Sequence, residues 1–144
     1  MAILTKDQLV EIYQNLDSGL VCYYNPETKE IKSIPDSNDP YLDKALWEKQ
    51  IKSIEKDIDQ YWVLEKMSSS EYFLMMKAFI DSLDDSKIKG FLIESLTKSK
   101  PFRQFKKVIE AAAPEYIDNW AVFKEKRYCD WLLLQVGEMA AVNK

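Results

Sequence analysis

Leu9, Ile12, Tyr13 and Leu16 recur at the i, i+3, i+4, i+7 spacing of one helical face, so the chain opens on an amphipathic helix. Thr5 and Gln8 supply a capping box before it, with Leu4 placed to staple onto Leu9, and Gly19 ends it. The period then shortens. Residues 20–24 and 30–34 are β-branched and aromatic in character, and Asn25-Pro26-Glu27-Thr28-Lys29 between them has turn chemistry. The pair predicts a β-hairpin, with imperfect alternation around Ser33 and Ile34.

Pro35 to Pro40 reads as a loop, with Asp39 as N-cap and Pro40 at the first helical position. Trp47, Ile51, Ile54, Ile58 and Tyr61 then recur at intervals of four and three, which predicts a helix over residues 41 to about 58. Residues 61–64, Tyr-Trp-Val-Leu, read as a third strand, because a lone hairpin is marginal in water.

Ser68 and Glu71 form a second capping box ahead of a helix carrying Tyr72, Met76, Phe79, Ile80 and Leu83. Asp84-Asp85-Ser86 breaks that helix and caps a short one bearing Ile88, Phe91, Leu92 and Leu96. Pro101 opens the next. There Phe102, Phe105, Val108, Ile109 and Ala112 share a face, opposite Arg103, Lys106, Lys107 and Glu110, and Pro114 ends it. A last helix, from about 115 to 142, is apolar on more than one face around residues 131–136, which places it centrally in the core. The fold class expected is α+β and mostly α-helical: five or six helices with a small antiparallel sheet of two or three strands.

Composition narrows this picture. A chain of 144 residues that is 47% hydrophobic reads as a single globular domain over residues 1–144. Three glycines are too few for glycine-cradled phosphate sites or a turn-rich all-β fold. Cys22 and Cys129 lack metal-type spacing and read as reduced, buried thiols of a cytoplasmic protein. The amino terminus shows no basic-then-apolar signal pattern and no apolar run approaches a membrane span, so a membrane partner is not expected.

Net charge is −4, unevenly spread. Between residues 98 and 127 eight basic residues face four acidic ones, a local net of +4 that leaves −8 for the remainder. The overall acidity disfavours nucleic acid as a partner without excluding it.

The chain has no histidine. That removes serine–histidine and cysteine–histidine catalysis, histidine metal ligation and the commonest general base near neutral pH. No nucleotide-binding glycine motif occurs, and no catalytic residue, cofactor or metal ligand is assigned. Asp57 with Asp59, Asp84 with Asp85, and Asp36 with Asp39 could hold a divalent ion. Helix caps and a solvated helix face explain them better.

The sharper candidate is a binding surface made by Arg103, Lys106 and Lys107 on one helix with Lys124 and Arg127 on the next, and Trp120 beside them. Two such helices side by side could grip an acidic protein or a phosphate-bearing ligand. The aromatic residues Phe102, Phe105, Trp120, Phe123, Tyr128 and Trp131 could stack on a ligand, but their helical spacing favours packing into the core.

Five segments carry a family resemblance: YYNPETKEI at 23–31, MKAFI at 76–80, PFRQFKK at 101–107, WAVFK at 120–124 and DWL at 130–132. In that order they resemble the bacterial uncharacterised family numbered one-five-eight in the UPF series. Where that family carries a glycine ahead of its phenylalanine and a second arginine before Phe-Lys, this chain has Ser99-Lys100-Pro101 and Gln104. The resemblance implies the same fold and brings no biochemical activity. Two functions are therefore carried forward. The leading one is a small non-enzymatic interaction module with a basic surface for an acidic partner. The competing one is a metal-dependent enzyme acting on a phosphorylated or nucleic-acid substrate.

Overall fold

A computed structural model describes residues 4–36 and 40–142. Among these, six α-helices and a three-stranded antiparallel sheet form the mostly helical α+β fold expected. They gather into two compact units, one from residues up to 66 together with those from 128 onward, the other from 67 to 127.

The first unit begins with α1 (Lys6–Asp17), whose buried residues are Leu9, Ile12, Tyr13 and Leu16. Both halves of the capping box form: Thr5 Oγ1 accepts from the Gln8 N–H at 3.1 Å, and Gln8 Oε1 accepts from the Thr5 N–H at 2.9 Å. Gly19 follows the helix at φ +94°, a left-handed conformation that glycine adopts without a Cβ penalty.

Strands β1 (Leu20–Tyr24) and β2 (Ile31–Pro35) make the hairpin, and β3 (Trp62–Leu64) pairs with the other edge of β1, giving the order β2-β1-β3. In the turn, buried Asn25 accepts through Oδ1 from the N–H groups of Glu27 and Thr28, at 2.9 and 3.2 Å. Lys29 completes the reversal at φ +68°.

Cys22 pairs with Ser33 and with Leu64, so these three share a face. That face meets α1: the Cys22 thiol lies 3.9 Å from the Ile12 carbonyl and 3.2 Å from Ser33 Oγ, while Asn15 Nδ2 donates to the same Ser33 oxygen at 3.0 Å. Ser33 thus interrupts the apolar alternation because its hydroxyl is partnered inside. The opposite face, with Tyr23, Lys32 and Ile34, receives α2 (Lys44–Lys56).

That second helix is shorter than the periodicity predicts. Pro40 lies in a turn, and Asp43 is the N-cap, accepting from the Leu46 N–H at 3.2 Å. The expected Asp39 cap falls outside the described residues. After Lys56 the chain tightens into a 3-10 turn, Ile58–Gln60. The tighter winding breaks the four-three seam: Ile54 and Tyr61 are buried, but Ile58 is turned to solvent.

The second unit holds α3 (Ser69–Asp81), α4 (Ser86–Leu96), α5 (Pro101–Ala112) and the first part of α6 (Ile117–Val142). Ser68 caps α3, accepting from the Glu71 N–H, and Asp85 caps α4, accepting from Lys87 and Ile88. Phe79 lies at the middle of an aromatic cluster, with ring centroids 5.1 Å from Trp120, 5.3 Å from Phe123 and 6.4 Å from Phe105. Edge-to-face and tilted rings at these separations add to simple area burial.

Expectations about burial in α4 and in the later part of the last helix need correction. Phe91, read as part of the buried stripe of its helix, is 41% exposed, because it lies at the margin of the face defined by Ile88, Leu92 and Leu96. The later part of α6 is not enclosed on several faces. Tyr128, Leu132 and Val136 are buried at four-residue intervals, whereas Leu133 and Leu134 are 45% and 69% exposed. The Tyr13 and Tyr128 rings meet at 5.0 Å, so contact is made along one stripe.

Candidate functional site

Helix α5 buries only part of its expected apolar face, since Phe102 and Ala112 at its two ends are exposed. Phe105 and Ile109 are buried and Val108 is half-buried, while Arg103, Lys106 and Lys107 are exposed. Pro101 at the first helical position pre-sets φ and gives up an N–H that would lack an intrahelical partner. Lys100 precedes it in the left-handed region, at φ 55° and ψ 58°, without a side-chain cap.

Arg103, Lys106 and Lys107 form no ion pair with the described residues. Glu110, three and four residues on along the same helix, is exposed and also unpaired among them. The three cations are thus presented to solvent with their charge unneutralised at contact distance.

Lys124 and Arg127 are held differently. The Lys124 ammonium lies 5.4 Å from the centre of the Tyr72 ring, and the Arg127 guanidinium 5.1 Å from that of Phe123. Both cations rest on aromatic faces, which fixes them more firmly than an exposed chain. Trp120 is half-buried among Tyr72, Phe79, Phe105 and Phe123, so its ring is engaged in packing.

Beside Lys107 runs a trough of about 340 Å³ along α4 and α5, lined by Phe91, Glu94, Lys98, Val108, Ala111 and Ala112 as well. Lys98 belongs to the basic span of the sequence, but no motif or spacing marks the lining residues as a site. The available signal was Phe91, at the edge of its apolar stripe. In the first unit, a groove of about 830 Å³ separates Tyr23 and Ile34 from Ile51 and Ile54 of α2. Its rim carries Lys44, Lys52, Glu48 and Glu55, with Lys52 and Glu48 paired at 2.7 Å, so it favours neither sign of charge.

Two of the three carboxylate pairs include a residue at a helix end. Asp85 is a helix cap, Asp57 ends α2, and Asp39 lies outside the described residues. Among the described residues no group of three or more metal-ligating side chains is gathered, and no helix is long and apolar enough to cross a membrane.

No curated protein and no solved structure matches the chain. A family model does, over residues 36–142; of the five motif segments, four lie within that stretch and the one at 23–31 precedes it. The match spans α2 through α6, including both the basic face of α5 and the ring-bound cations of α6. On that extent the chain belongs to the uncharacterised protein family UPF0158.

Proposed function

We propose that the protein is a small non-enzymatic interaction module whose α5 face binds an acidic partner or a phosphate-bearing ligand. The observation that carries this is the exposure of Arg103, Lys106 and Lys107 with no acidic neighbour engaging them among the described residues. Arginine offers bidentate contact to a carboxylate or phosphate, and the two lysines add attraction that does not depend on a fixed geometry. Lys124 and Arg127, rigidified on their rings, extend the cationic character of the same unit. A cytoplasmic setting belongs to the same proposal and is supported by Cys22 and Cys129, neither of which is in a disulfide.

The test is the double substitution Arg103→Glu with Lys106→Glu. It abolishes co-purification of an acidic partner and leaves the circular-dichroism melt unchanged, since both side chains are exposed. A double variant that retains every partner reduces the face to solvated surface.

A further inference from the structure

The trough beside Lys107 extends that reading from a charged face to a shaped one. Its two walls are Phe91 and Glu94 of α4, continued by Lys98 in the bend past that helix, and the helically spaced ridge of Lys107, Val108, Ala111 and Ala112 along α5. Ala111 and Ala112 keep one wall low, which allows the ridge of another helix to approach closely. Phe91, 41% exposed, and half-buried Val108 give the trough apolar contact surface. Lys98 and Lys107 bring positive charge to its lining, and Lys87 stands over the Phe91 ring at 6.0 Å.

We infer that the partner is an acidic amphipathic helix, its apolar stripe seated between α4 and α5 and its carboxylates meeting Lys98 and Lys107. This rests on the proposed acidic partner and adds its secondary structure and patterning. Two considerations select a helix. The surface is an interhelical trough rather than a free sheet edge, and such troughs take partners with apolar anchors at i, i+3, i+4 and i+7. The charges are also complementary: cations on the lining and on the neighbouring α5 face suit a segment that is apolar on one side and negative on its flanks. Glu94, the one acid in the lining, disfavours a carboxylate beside itself and so restricts the placement of the acids.

The experiment titrates the full-length protein with two labelled synthetic peptides of identical composition, followed by fluorescence anisotropy. One places leucines on a helical stripe flanked by glutamates; the other scrambles the order. The expected result is binding of the striped peptide tighter by about tenfold or more, with that preference lost in Ala111→Glu and in Phe91→Ser. Both substituted residues are exposed, so either variant serves if the other folds poorly. Equal binding of the two peptides, weakened alike by Arg103→Glu with Lys106→Glu, overturns the helix and leaves the basic-face reading standing. Binding of neither overturns the helix and the acidic-protein arm of the basic-face reading, and leaves only its phosphate-bearing ligand. A preference that survives both trough variants also overturns the assignment, as does sedimentation showing that a second copy of the chain fills the trough and is released by Ala111→Glu.

Discussion

Lys100→Gly stabilises the protein. Lys100 sits at φ 55° and ψ 58°, immediately before α5, and its side chain makes no capping hydrogen bond. A non-glycine residue in this region costs about 1–2 kcal/mol through the close approach of Cβ to the following carbonyl. Glycine removes that cost but gives the unfolded chain more freedom, worth about 0.4–1 kcal/mol in the opposite direction. The net gain is about 0.5–1 kcal/mol, which raises Tm by roughly 1–4 °C for a chain of this size. Thermal melts and urea titrations both read it, the latter as a higher midpoint with an unchanged slope. Lys100→Ala is the control: it removes the same positive charge and keeps the Cβ, so it yields no gain. Equal stabilisation by alanine and glycine would refute the backbone argument and assign the effect to charge.

Two further outcomes follow from the core and from a buried thiol. Phe79→Ala removes the ring that meets Trp120, Phe123 and Phe105 and costs about 3–5 kcal/mol. It is read as a lower urea midpoint with red-shifted tryptophan emission, whereas Leu134→Ala, at a 69% exposed position, changes stability by no more than about 0.5 kcal/mol. Burial pushes the Cys22 thiol above its ordinary pKa, against a lowering by its hydrogen bond to Ser33, with Glu11 adding to the rise. The unfolded chain therefore ionises this thiol first. The stability it contributes is complete below the ordinary thiol pKa and is lost as pH climbs through the raised folded value. Cys22→Ala lacks that component of the alkaline decline in urea midpoint; an identical pH profile in the variant contradicts the assignment.

Much of the fold is local enough to be read from the chain. Thr5, Ser68 and Asp85 cap helices within three residues of themselves, and the hairpin turn carries its own Asx acceptor in Asn25. The misreadings concern how far a neighbour covers a face. Periodicity puts Phe91 beside Leu92, and Leu133 beside Leu132, without saying how wide the opposing element is. The early start assigned to α2 followed from Pro40, when the deciding group was Asp43, one turn further on. The basic side of α5 was legible because charge and apolarity alternate with one period on one helix. The trough was not, since it exists only where α4 lies against α5. Nor were the ring contacts of Lys124, which depend on Tyr72 from a distant segment.

Ser33 has a consequence for how the hairpin finds its alignment. Its hydroxyl is engaged from one strand away by Cys22 and from α1 by Asn15. Sliding β2 by a single residue would exchange Ser33 for Lys32 or Ile34 on that side and strand the Asn15 amide without its acceptor. Lys32 would also lose Ser53, to whose oxygen its ammonium donates at 2.9 Å. Misaligned pairings are thus penalised twice, by helices on opposite sides of the same short strand. The alignment set at the Asn25 turn is thus held a second time, from α1 on one face and from α2 on the other.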